Sequence, residues 1–201
     1  MEKPTINFML DIETLDVKPN AHILEIALVK FDIITGVVDE SASIHHTFGL
    51  KNQGGNIDAD TLYWWLHQGK NVDKQRDYLI YLTRPTIEMD LEKSLIKIDA
   101  ILNLSRSMGK VRVWSASMFD SDVLNAAFSR IYNKIEKPLI TFYETRDCRA
   151  LRDIGDMYPN LIRINSLPEA THNAYEDCIR QIGYVTEVTQ YIESVKKSGR
   201  Q

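Results

Sequence analysis

The chain has 201 residues, 44% of them hydrophobic and 26% charged, with a formal net charge of −4. Those values support one sizeable core but not two full domains, exclude a disordered chain, and lead us to expect a single domain over residues 1–201. The acidic balance excludes a wholly basic nucleic-acid-binding module but leaves room for a local basic patch.

In chain order, Ile6 to Leu10 reads as a first strand that ends in Asp11 and Glu13. His22 to Asp32, rich in Ile, Leu, Ala and Val around Glu25 and Lys30, reads as a second, and Gly36 marks a turn. Ser41 to Phe48 is the third strand of an antiparallel meander. The polar stretch carrying Gly54 and Gly55 is a loop, after which Asp60 caps a short helix, "TLYWWLHQ". Ile87, Leu91, Leu95, Ile98 and Leu102 form one face of a long helix from Thr86 to Ser105. "VRVWSA" is a buried strand and "SDVLNAAFSRIY" the helix after it. Leu139 to Phe142 is expected as a further strand and "TRDCRALRDI" as a helix. The last helix runs from Asn173, its cap, to Lys196, with Ala174, Cys178, Ile182, Val185, Val188 and Ile192 turned inward. Three strands followed by strands alternating with helices predict an α/β sheet of mixed direction.

Asp11 and Glu13 stand at i and i+2, so an extended chain points both to one face. Two carboxylates so close repel unless a cation neutralises them, and magnesium or manganese prefers such oxygen ligands. With 28 acids in 201 residues, chance supplies about four acid-x-acid pairs, so the pair gains weight only from its company. That company exists. Asp120 follows the second buried strand where a helix begins, with Asp122 as an alternative ligand. His172 precedes the last helix, and Asp177 lies in its first turn.

These residues carry a resemblance. "DIET", "FD" after a buried strand and "HNAYED" resemble the three motifs of the DnaQ-like 3′–5′ exonucleases, in the DEDDh subclass with four acids and a histidine. "TLYWWLHQ" and "TRDCRAL" further resemble a branch that includes a phage exonuclease A and a mycobacterial exoribonuclease. The resemblance extends from residue 8 to about residue 190. Where many relatives have Asn or Gly before "FD", this chain has Ser115-Ala116-Ser117. It implies an RNase H-like fold, metal ligands at Asp11, Glu13, Asp120 and Asp177, and a general base at His172. Two divalent cations, Mg²⁺ or Mn²⁺, are the expected cofactors, with Asp11 between them, Glu13 and Asp177 on the nucleophile side and Asp120 on the other.

The expected activity is hydrolysis from the 3′ end of single-stranded nucleic acid, releasing nucleoside 5′-monophosphates. DNA is the favoured strand, RNA the alternative, and an inactive binding module the non-enzymatic rival. The candidate substrate contacts are Leu15 as a wedge between bases, Trp65 (or Trp64) as a stacking platform, Arg146 with Arg149 as phosphate partners, and Thr14 and Phe119. The apolar "YWWL" helix points to a homodimer. Cys148 and Cys178 lack zinc spacing and are expected to be reduced. With no signal-peptide pattern and no membrane-length apolar run, a soluble, cytoplasmic protein is expected.

Overall fold

The structure, a computed structural model, describes residues 3–51, 53–67, 72–84, 90–132, 137–157 and 170–198. Strands β1 (Thr5–Thr14), β2 (Ile23–Phe31) and β3 (Ile44–Thr47) pair antiparallel. Strands β4 (Lys110–Ser115) and β5 (Thr145–Asp147) add in parallel on the other side of β1, giving the order β3-β2-β1-β4-β5. This is the expected mixed sheet, flanked by helices in an RNase H-like α/β arrangement.

β1 is central, so both its faces are covered, and its middle, Phe8 to Leu10, is an unbroken apolar run. Phe8, Leu10 and Ile12 enter one core together with Leu95, Ile98 and Leu102 of α3 (Leu91–Met108) and Val123, Leu124 and Ala127 of α4 (Met118–Tyr132). Met9 points the other way, to Cys148 at the start of α5 (Cys148–Met157) and to Cys178, Ile182 and Val185 of α6 (Ala174–Ser198). Helices α1 (Ala59–His67) and α2 (Val72–Leu82) close a third cluster around Leu15, Leu24, Trp65, Leu79 and Leu82. Among the described residues no helix is long and apolar enough to cross a membrane.

Several boundaries differ from expectation, each for a local reason. The third strand is shorter, because Asp39 accepts from the Ser41 N–H and opens a 3-10 turn over Glu40–Ala42. The cap of α1 is Asp58, which accepts from the Thr61 N–H at 2.9 Å, while Asp60 lies inside the helix. Helix α3 is capped by Asp90, and the expected start at Thr86 falls outside the described residues. Leu139 to Phe142 form no strand. The Asn125 side chain meets both the N–H and the carbonyl of Ile140 at 2.9 Å, doing what a neighbouring strand would do. The strand forms three residues later, where Thr145–Asp147 pairs with β4, so the helix expected from Thr145 starts at Cys148. On α6, Ile192 is exposed, and the inward stripe ends at Val188.

The β1–β4 ladder stops at Met9–Trp114, and β1 projects beyond its parallel neighbour. A register irregularity follows between Glu13 and Thr14, opposite β2. Such bulges bend a strand and re-aim its last side chains.

Candidate active site

The projecting end of β1 carries Asp11 and Glu13 on the Met9 face, toward α6. Asp177, in the first turn of α6, meets them there, and ligand oxygens of all three lie within 4.8 Å of one another. Asp120 stands beside this group in the first turn of α4. Its Oδ1 accepts the Ile12 N–H at 3.2 Å, an amide beyond the end of the β4 ladder. Ser117 takes the Phe119 N–H on its hydroxyl and so starts the turn that presents Asp120. All four acids are buried. Asp122 is exposed and takes no part.

Burial pushes the Asp11 and Glu13 carboxyls well above their usual range, and the neighbouring acids push further. Burial likewise raises Asp120 to about 7. Four buried oxygen-donor side chains, of which Asp11, Glu13 and Asp120 resist ionisation, suit a hard divalent cation, which would neutralise their charge together. The donor set therefore fits Mg²⁺ or Mn²⁺.

His172 sits over this cluster, its Nδ1 3.9 Å from Glu13 Oε1. Its backbone has a positive φ of 56°, uncommon for a residue with a Cβ. The Asp177 carboxylate holds that conformation by accepting the N–H groups of Thr171 at 3.2 Å and His172 at 3.0 Å. Arg180, one turn on, donates to the same carboxylate at 3.0 Å. Burial lowers the His172 pKa, so the imidazole is neutral near pH 7. The Trp64 ring meets the imidazole edge-to-face with centroids 4.8 Å apart.

Three partners escaped the sequence reading. Glu25, directly across from Glu13 on β2, is fully buried. It is bound by His45, by Tyr78 Oη at 3.2 Å and by Asn173 Nδ2 at 3.1 Å. An acid among Ile23, Leu24, Ile26, Ala27 and Leu28 was its signal. Gln181 donates to Asp11 at 2.7 Å, and Arg180 to Asp177. Their spacings of four and three from Asp177 put all three on one helix face. A cavity of about 250 Å³ opens beside His172, lined among others by Glu25, Trp65, Gln75, Tyr78 and Asn173.

The candidate substrate contacts fall out unevenly. Leu15, the expected wedge, has no exposed surface and packs with Leu24 and Trp65. Trp65 is 2% exposed and donates its indole N–H to the Thr14 carbonyl, whereas Trp64 is half-buried. Phe119 is partly buried against the α3–α4 core. Arg146 and Arg149 lie toward the β5 edge, Arg146 half-buried and Arg149 exposed.

The fold and these acids define a nuclease-type hydrolase of the DEDDh, RNase H-like exonuclease superfamily. More narrowly, residues 6–189 match the family described as 3'-5' exoribonuclease Rv2179c-like domain, and the chain belongs to that family. Among solved structures it is similar to the nuclease domain of 3'hExo, a DEDDh family member bound to rAMP. That match has 8% identity and a TM-score of 0.57, and covers 92% of each chain. A full-length 3'-exonuclease matches at 11% identity with a TM-score of 0.55, over 94% of this chain and 83% of that one. At such identities these likenesses speak for the fold. A search of curated proteins finds no match.

Proposed function

We propose that this protein is a divalent-metal-dependent 3′–5′ exonuclease that trims single-stranded RNA and releases nucleoside 5′-monophosphates. The observation that carries this reading is the convergence of Asp11, Glu13 and Asp177 within 4.8 Å of one another beneath His172. RNA replaces DNA as the favoured strand because the matching family is described as exoribonuclease-like. On this proposal residues 1–201 act as one domain, in the cytoplasm.

Cations held by Asp11, Glu13, Asp120 and Asp177 would neutralise charge on the phosphoryl oxygens and lower the pKa of the attacking water. His172 accepts that water's proton on its imidazole. Burial keeps the ring neutral and ready, and Nδ1 lies 3.9 Å from Glu13 Oε1. Asp177 positions the ring through the two backbone N–H groups, and Arg180 steadies Asp177. Gln181 orients Asp11 by donating to Oδ1. Water attack at phosphorus breaks the bond to the 3′ oxygen of the penultimate nucleotide, which leaves the phosphate on the 5′ side of the released one.

The test uses 5′-labelled RNA and DNA of one sequence, with Mg²⁺ or EDTA. A metal-dependent ladder that shortens from the 3′ end, faster on RNA, is expected. A faster DNA ladder would overturn the choice of RNA. No cleavage of either strand with Mg²⁺ or Mn²⁺ would overturn the enzymatic reading in favour of a binding module.

A further inference from the structure

In-register neighbours of a parallel ladder share a face. Arg112 of β4 is level with Asn7 of β1, and Arg146 of β5 is level with Trp114, which is level with Met9. Both arginines therefore stand on the sheet face that bears Asp11 and Glu13. Both are half-buried, and both donate to the Tyr143 carbonyl, Arg112 at 3.4 Å and Arg146 at 3.1 Å. Their other bonds go to carbonyls as well, so no carboxylate neutralises either among the described residues. Glu144, next to Tyr143 in the chain, is held by Arg106 at 2.7 Å instead. Burial and the Arg112 charge together push the Arg146 pKa down, as expected of two like charges held close. Phe142 and Tyr143, 76% and 83% exposed, rise beside them, with ring centroids 5.9 Å apart at 76°.

We infer that Arg112, Arg146, Phe142 and Tyr143 form a second binding surface for the single-stranded substrate, holding the strand several nucleotides upstream of the scissile bond. Charge complementarity selects a polyanion, and exposed rings give its bases a stacking platform. Arg112 is level with a residue four positions before Asp11, or about 13 Å along the strand at about 3.3 Å per residue. That distance corresponds to about four stacked nucleotides at about 3.4 Å each. Arg149, exposed at the start of α5 two residues after β5 ends, carries a charge that acts on Asp120. The inference rests on the exonuclease reading and adds to it a dependence on strand length.

The experiment compares the full chain with a Phe142→Ala/Tyr143→Ala double variant and with Arg112→Gln, on a dinucleotide and on a twelve-nucleotide strand. For the wild type, kcat/KM should rise with length to about five nucleotides and then level off. Each variant should raise KM for the long strand by about tenfold, the scale of a lost stacking or charge contact, and erase the advantage of length. Unchanged KM for the long strand in both variants would overturn the surface. So would a fall in oligomeric state on sedimentation with normal kinetics, which would assign the patch to a second copy of the chain. If the wild type cleaves nothing, the exonuclease reading fails by itself. Fluorescence anisotropy of the labelled long strand in EDTA then decides the surface: weaker binding by the variants supports it, and equal binding overturns it.

Discussion

His172 shows how much one residue's chemistry depends on its backbone. A histidine before a helix is ordinary. Here its left-handed φ and the two N–H bonds to Asp177 turn the imidazole over the carboxylates. Removing the base should lower kcat by about 10²–10⁴, the usual contribution of a positioned proton acceptor. His172→Ala should leave Mn²⁺ binding intact when measured by calorimetry, because the carboxylates remain. Turnover equal to wild type would take His172 out of the mechanism. Asp11 and Glu13 could be paired by spacing, since i and i+2 on a strand share a face in any sheet, and Asp120, Asp177 and His172 joined them through the motifs they resemble. Glu25 could not be assigned that way. Its importance comes from facing Glu13 across two strands, and the pairing register that sets them opposite is a tertiary fact.

At the scale of elements, α6 does most of the work. One face of it presents Asp177, Arg180 and Gln181 to β1, and its entrance is tied down by Asn173. The Asn173 side chain accepts from the Glu176 N–H at 3.0 Å as a helix cap and donates to Glu25 at 3.1 Å. Asn173→Ala should cost about 1 kcal/mol from the cap alone, read as a lower denaturation midpoint. It should also lower kcat by loosening the His172 loop; a stability loss with unchanged kcat would show that the cap does not position the histidine. The loop before α1 makes a second structural prediction. A Cβ on Gly55 would meet the Ala21 carbonyl oxygen at 2.5 Å and His22 Cα at 2.7 Å. Backbone cannot give way as a flexible side chain can, so Gly55→Ala should destabilise by about 1–3 kcal/mol in urea melts. Sequence periodicity identified α3 and α6 because their apolar stripes are long. It missed α2, whose stretch from Asp73 to Asp77 is polar throughout and whose Ile80 and Tyr81 are exposed, so that the described side chains it buries are chiefly Leu79, Leu82 and Gln75. It misplaced β5, where the free edge of β4 recruits Thr145–Asp147 from a segment with helical character.

For the whole molecule, the acid cluster links stability to pH. Asp11 and Glu13 are raised well above 3.8 and 4.5, and Asp120 from 3.8 to about 7. The folded chain therefore binds more protons than the unfolded chain between about pH 4 and pH 7. By linkage, the contribution of these groups to unfolding free energy falls as pH rises through that window. Metal-free protein should melt progressively lower from pH 4 to pH 7 because of them. Asp11→Asn/Asp120→Asn should flatten that slope. Added Mn²⁺ should raise the melting temperature more at pH 7 than at pH 5, since cations and protons compete for the same oxygens. Equal metal stabilisation at both pH values would argue against a site built from these carboxylates.

The first three strands, the buried strand before α4, most of the inward stripes of the long helices, and the acids with their histidine as candidates were legible in the linear sequence. The strands and stripes follow from short-range periodicity, and the acids and histidine from short motifs that resemble a known family, all of which the chain carries however it folds. Only the tertiary structure decided that Glu25 faces Glu13 and that Leu15 and Trp65 are walled in while Trp64 meets His172. It alone placed Arg112 on the face of the acids. Those facts depend on which strands pair and in what register, and pairing between residues far apart in sequence is set by the packing of the whole core.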